Sequence, residues 1–184
     1  MREVILRLRD RHDRGIHFYT WRGEWQRHSY AELVAGAEGR AAGLTGRVAL
    51  EMPTSKALVE SLLAVWLAGG AVCCLPLPGR LSPAEHPRQT LLDRGRFDRV
   101  ITERLPECGP LAEPAADPDG LALIQFSSGT TRVPRPVALT HRNLLTNVEA
   151  ILDRLPGGAS QHHVLSWLPL YHDMGLIGCV VTAL

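Results

Sequence analysis

The chain is poor in lysine: Lys56 is the one lysine among its 20 lysine and arginine residues. It also lacks a dominant charge. Its 19 acidic residues nearly cancel the basic ones and leave a formal net charge of +1, so no bulk electrostatic case exists for a nucleic-acid partner. Heavy use of arginine and alanine fits GC-rich coding better than a basic surface. No uncharged apolar stretch reaches the roughly eighteen residues that a membrane span needs. The N-terminus, MREVILRLRDRHD, mixes charges of both signs with apolar residues at helical spacing, which fits neither a signal peptide nor a transit peptide. CxxC pairs are missing too. Cys73 and Cys74 are adjacent in an apolar run, and with Cys108 and Cys179 they are expected to be buried structural thiols of a reducing, cytoplasmic protein. His162 and His163 have no further ligands at metal spacing. They are expected to face solvent, and no metal site is read from the sequence.

What is present is an ordinary globular composition, 45% hydrophobic and 21% charged over 184 residues, enough for one domain with a real core. Short apolar runs alternate with amphipathic ones. Residues 30–44, YAELVAGAEGRAAGL, have helical spacing with Gly46 as a stop. RVALEM (47–52) is a strand ended by Pro53. SKALVESLLAVWLAG (55–69) is a helix with a wide apolar face closing on Gly69 and Gly70, and AVCCLPL (71–77) is a second buried strand. A helix opening at Ser82-Pro83 and a strand at 98–102 follow.

Residues 103–120 are rich in Pro, Ala and acids without a period, and read as a surface connector. Beyond them LALIQF (121–126) and PVALTH (136–141) read as strands, and RNLLTNVEAILDRL (142–155) as an amphipathic helix. HVLSWLPL (163–170) reads as another strand, and YHDMGLIG leads into a helix. This alternation predicts an α/β layered fold with a mostly parallel sheet and flanking helices. The last residues, CVVTAL, run through an apolar helix without a C-cap signal, so the surface that helix packs on is expected further along a longer protein.

Residues 126–136, FSSGTTRVPRP, carry the first chemical signal. Strand LALIQF delivers the chain to four hydroxyls, Ser127, Ser128, Thr130 and Thr131, set around Gly129. Glycine permits close backbone approach and convergent N–H groups, hydroxyls add short donors, and Arg132 and Arg135 add charge suited to phosphate oxygens. GxxxxGK[ST] is absent, as is the helix that should follow it, so a Walker-type loop is rejected. On these residues alone a phosphate loop and a polar hairpin turn both stand.

Four stretches in order change that balance: SYAEL (29–33), WLAGGAVCCLPLP (66–78), LALIQFSSGTTRVPRP (121–136) and SWLPLYHDMGLIG (166–178). Together they resemble the first four motifs of the adenylate-forming superfamily, which includes acyl-CoA synthetases, fatty acyl-AMP ligases, peptide-synthetase adenylation domains and luciferases. The resemblance covers the chain from about Gly15 to its end and is nearest to fatty acyl-AMP ligases. It implies that Ser127, Ser128, Gly129, Thr130 and Thr131 cradle the β- and γ-phosphates of ATP with Mg²⁺, assisted by Arg132 and Arg135. Arg132 stands where many members have glycine, as it does in the fatty acyl-AMP ligase version of the loop. Arg135 replaces a lysine, keeping charge but not geometry, and Pro136 replaces a glycine and removes a backbone N–H.

Within YHDMG, the resemblance places His172 near the reacting carboxylate as the catalytic candidate. Tyr171 shapes the wall, Gly175 lies with them on the substrate side, and Asp173 starts the helix. α-Amino-acid-activating members place an aspartate where this chain has His172, and a histidine cannot replace that charge. The resemblance thus implies activation of a fatty or other simple carboxylic acid to an acyl-adenylate, followed by transfer to the thiol of CoA or of a carrier protein. It also implies that residues 1–184 are an incomplete N-terminal AMP-binding domain: a first α/β part at 1–102, the connector at 103–120, and the phosphate-loop and YHDMG part at 121–184. The later motifs, with a metal-binding glutamate and a C-terminal lysine, are absent, and Lys56 is in the wrong region to serve. Two other readings stay open: a non-catalytic remnant or interaction module of the same fold, and an amino-acid or aryl-acid adenylation domain, which His172 argues against.

Overall fold

The computed structural model describes residues 1–77, 88–109, 117–127, 134–157 and 161–184. A short helix α1 (Arg2–Leu6) leads into an antiparallel hairpin, β1 (Gly15–Tyr19) and β2 (Trp25–Ser29), which sequence periodicity did not flag. Ile16 and Phe18 pack on the core, while His17 and Tyr19 point out.

Ser29 ends the hairpin and caps α2 (Tyr30–Glu38). Its hydroxyl accepts from the Glu32 N–H and the Glu32 carboxylate accepts from the Ser29 N–H, a complete capping box. The helix stops at Gly39, short of the residue 44 expected from periodicity, because glycines at 36, 39 and 43 weaken propagation.

A five-stranded sheet forms the centre. Its strands are β3 (Arg47–Leu50), β4 (Ala71–Cys74), β5 (Arg99–Ile101), β6 (Leu121–Phe126) and β7 (Pro136–Thr140), in the order β5-β3-β4-β6-β7. Neighbours are parallel except β6 and β7, so the sheet is mostly parallel, as predicted. Helix α3 (Lys56–Leu67) joins β3 to β4, and α4 (Arg88–Gly95) precedes β5. The alternation of side chains shows which face each strand residue serves. Val48, Leu50, Val72 and Cys74 join the main core with α2 and α3, whereas Ala49, Cys73 and Leu75 face Leu91 of α4. Trp66 of α3 is fully buried, and its indole N–H donates to the Ala122 carbonyl of β6 at 2.8 Å. Fully buried leucines such as Leu62, Leu63 and Leu67 each contribute about 1.5–3 kcal/mol to this layer.

Residues 163–170 are not a strand. Val164, Leu165 and Trp167 are exposed in irregular backbone, Trp167 at 88%. Their apolar run looks like a buried strand, but it has no sheet partner among the described residues. The final helix, Met174–Val181, is a π-helix, in which the Thr182 N–H reaches back five residues to the Ile177 carbonyl. The start of the expected helix at Ser82-Pro83 lies outside the described residues. Cys73 and Cys74 are buried, but Cys108 is exposed and Cys179 half-buried, against the expectation of four buried thiols. Of the two histidines expected in solvent, His163 is exposed, while His162 is half-buried with Nε2 2.8 Å from the Pro156 carbonyl.

Candidate functional site

The neck of the 126–136 loop is well defined. After β6 the Ser127 N–H donates to the Arg135 carbonyl at 3.0 Å, and the Arg135 N–H approaches the Ser127 hydroxyl at 3.4 Å. These two residues close the top of the β6–β7 hairpin. Pro134 is buried beside the neck, and Arg135 is exposed. Pro136, which the sequence left without a role, opens β7 opposite Phe126. That strand is the outer one of the described sheet, where a missing N–H interrupts no ladder on the far side. Ser128, Gly129, Thr130, Thr131 and Arg132 lie outside the described residues.

The YHDMG segment sits against the same end of β6. The Gln125 side-chain amide, one residue before Phe126, donates to the Tyr171 carbonyl at 3.5 Å. Tyr171 is half-buried, and its ring lies 4.7 Å from that of the exposed His172 at an interplanar angle of 47°. The His172 N–H donates to the Pro169 carbonyl at 3.2 Å, and the His172 carbonyl accepts from Leu176 at 2.9 Å, so the backbone on both sides of the imidazole is fixed. Asp173 caps the helix by accepting from the Met174 N–H at 2.8 Å, as expected, which leaves its charge turned to the helix start. Gly175 is required sterically: a β-carbon there would stand 2.5 Å from the Pro169 carbonyl oxygen.

A cleft of about 220 Å³ opens beside Tyr171, at the C-terminal ends of β3 and β4. Its lining carries no charge and includes Met52, Leu58, Cys74, Leu77 and Leu170. Cys74 is no nucleophile here, since burial pushes its thiol up to about 12. Open parallel sheets bind ligands outside the carboxyl ends of their strands, and this is that end.

Sequence reasoning missed two buried carboxylates and the cations that hold them. Glu51 follows β3, is buried, and receives a bidentate Arg88 fork at 2.7 and 2.9 Å, which fastens α4 to the sheet. Glu60 of α3 lies buried among Arg40, Lys56 and Arg104 at 3.8, 3.6 and 3.7 Å. The i,i+4 spacing of Lys56 and Glu60 was the signal available in the sequence. Among the described residues, no group of three or more His, Cys, Asp or Glu side chains is placed to hold a metal ion.

The model of the AMP-binding enzyme family matches residues 80–184. A long-chain-fatty-acid–AMP ligase of Mycobacterium marinum is 41% identical over 96 residues, covering 52% of this chain and 14% of its own length. A 4-hydroxyphenylalkanoate adenylyltransferase of Mycobacterium tuberculosis is 29% identical over 190 residues, covering 86% of this chain and 30% of its own. One of the solved fatty acyl-adenylate ligases of E. coli and L. pneumophila superposes on 98% of this chain, and 39% of its own, with a TM-score of 0.81 and 29% identity. The chain thus spans well under half of these relatives' length. With more than half of its residues matched by the family model and a solved fatty acyl-adenylate ligase superposing on nearly all of it, the chain belongs to the AMP-binding enzymes of the adenylate-forming superfamily.

Proposed function

We propose that residues 1–184 form part of the N-terminal domain of an enzyme that uses MgATP to convert a fatty or other simple carboxylic acid to an acyl-adenylate, then passes the acyl group to a thiol of CoA or of a carrier protein. The observation that carries this reading is the Gln125–Tyr171 hydrogen bond. It holds the neck of the hydroxyl-rich loop and the YHDMG segment at one end of β6, where a phosphate group and a carboxylate could meet.

The donor set fits ATP. The hydroxyls and Gly129 of the loop, with the exposed Arg135, match phosphate oxygens in chemistry. In this reading Ser127, Ser128, Gly129, Thr130, Thr131, Arg132 and Arg135 bind ATP. Arg135 would neutralise charge on the departing pyrophosphate, which is the main electrostatic need of attack at the α-phosphorus. Mg²⁺, when held with ATP at the loop hydroxyls, would supply further neutralisation of the phosphate charge. His172 would orient the carboxylate, with its ring held against Tyr171, and Gly175 would let the helix start approach Pro169 closely enough to fix that geometry. An uncharged cleft beside Tyr171 and the absence of a carboxylate at position 172 favour a simple acid over an α-amino acid.

The test is ATP–pyrophosphate exchange by the natural full-length protein across saturated acids of increasing chain length, aryl acids and α-amino acids. Exchange with saturated acids and none with α-amino acids is expected. A folded protein that exchanges with no acid would leave the second reading, a non-catalytic module of the same fold.

A further inference from the structure

The SYAEL stretch at 29–33 has no part in the adenylation reading, yet the fold ties it to the helix that follows YHDMG. Tyr30, the first residue of α2, sits on a fixed mount. Its N–H donates to the Arg14 carbonyl at 2.9 Å, the next N–H donates to the Arg11 carbonyl at 3.2 Å, and Ser29 before it closes the capping box. The side chain is buried, and its hydroxyl donates to the Ala183 carbonyl at 2.7 Å, across 153 positions of sequence. Burial pushes the phenol above its usual range, so the group stays a neutral donor at neutral pH. A carbonyl has two lone pairs, so this bond is compatible with a helix that continues past Ala183.

The helix between these points is π-wound over eight residues, where single π-turns are the usual extent. Both of its ends are held. At the first, the Leu176 N–H donates to the His172 carbonyl at 2.9 Å and Asp173 caps Met174. At the last, the Thr182 hydroxyl donates to the Ile177 carbonyl at 2.8 Å, and Tyr30 holds Ala183. Leu176, Ile177 and Val181 lie in the same core cluster as Tyr30. A packed helix moves as one element, so a shift at residue 183 is passed to the Tyr171–His172 pair at its start.

We propose that the Tyr30 hydroxyl is a positioning group for that pair: by holding the far end of Met174–Val181 it fixes the winding of the helix and so the place of the His172 imidazole. Tyr30 acts only through the helix. The catalytic consequence rests on the adenylation reading, in which His172 orients the carboxylate, whereas the positional one does not. A buried tyrosine that merely satisfies its own hydroxyl would cost stability when truncated and change nothing at His172.

The experiment compares Tyr30→Phe with the parent in the natural full-length protein carrying isotope-labelled histidine. The His172 ring signal, assigned by its loss in His172→Gln, reports the placement of the Tyr171 ring 4.7 Å away. The control is Trp66→Phe, which removes another buried donor, the one to Ala122 at the opposite end of β6 from Gln125. Tyr30→Phe is expected to shift the His172 signal and to lower kcat/KM for the acid about tenfold in pyrophosphate exchange, with KM for ATP unchanged. Trp66→Phe should melt earlier than the parent and leave both readouts at parental values. An unmoved His172 signal in Tyr30→Phe would overturn the proposal, as would a moved signal with parental acid kinetics or equal effects in the two variants. A parent that exchanges with no acid would sink the adenylation reading alone, and the histidine signal would then decide the positional claim by itself.

Discussion

Glu60 lies under Gly36: a β-carbon on residue 36 would stand 2.1 Å from the Glu60 Oε1. The glycine of α2 is thus the lid over a buried carboxylate of α3, which is 1% exposed and ringed by Arg40, Lys56 and Arg104. Arg40, itself buried, also donates to the Gly36 carbonyl at 2.6 Å and the Leu105 carbonyl at 2.9 Å. One charge cluster therefore joins α2, α3 and the stretch after β5.

Gly36→Ala should destabilise the fold by about 1–3 kcal/mol, because Glu60 cannot swing away without leaving its cations. Glu60→Gln should also destabilise, by about 1–3 kcal/mol, because Lys56, Arg104 and Arg40 lose their shared carboxylate while Arg40 keeps Glu107 at 3.2 Å. Urea denaturation midpoints at neutral pH measure both, and a Gly36→Ala protein as stable as the parent would refute the steric account.

Trp66→Phe keeps most of the buried ring and removes the donor to Ala122. The orphaned carbonyl should cost about 1–3 kcal/mol, again read as a shift in denaturation midpoint.

Thiol labelling should divide the cysteines. Burial pushes both Cys73 and Cys74 up, the latter to about 12, so neither forms a thiolate in the native protein. Cys108 is exposed and should react first, with Cys179 slower and the adjacent pair reacting only after denaturation. Mass spectrometry of partially labelled protein gives the order.

Acid should weaken the native state through His141, the first residue of helix α5 (His141–Leu152). Burial, then the Met1 ammonium charge, hold its imidazole below the ordinary value of 6.5, with Asp117 opposing. Its Nδ1 is buried without a hydrogen-bond partner. A histidine lowered on folding contributes stability above its unfolded value and loses it as pH falls through the folded one. Melting temperature should therefore fall more steeply below pH 6.5 in the parent than in His141→Gln.

His172→Ala in the natural full-length protein should lower pyrophosphate exchange about 10²-fold by misplacing the carboxylate. Stability should be unchanged, since the side chain is exposed. Exchange at the parental rate would remove His172 from the reacting centre.

The central sheet was legible because strands such as 121–126 are apolar runs with clear punctuation, and the observed β6 has those bounds. The SYAEL stretch likewise encodes its own helix start, since Ser29 and Glu32 supply a capping box without help from the rest of the fold. The hairpin was not legible, because its exposed aromatics at 19 and 25 break the alternation that marks a half-buried strand. Residues 163–170 failed for the opposite reason: their apolar content looks like burial, yet Leu165 and Trp167 face outward. Of the candidate site, the His172 region was readable as a motif, but the tie from Gln125 to the Tyr171 carbonyl depends on two backbone segments meeting, and no local pattern encodes that.

The π-helical winding of Met174–Val181 bears on how this region tolerates changes of length. A π-turn holds one more residue per turn than an α-turn, so removing a single residue within the segment can be absorbed by relaxation to ordinary winding. An insertion has no such slack. Single-residue deletions there should preserve folding while rotating the Tyr171–His172 pair relative to the last residues, and equivalent insertions should unfold the segment.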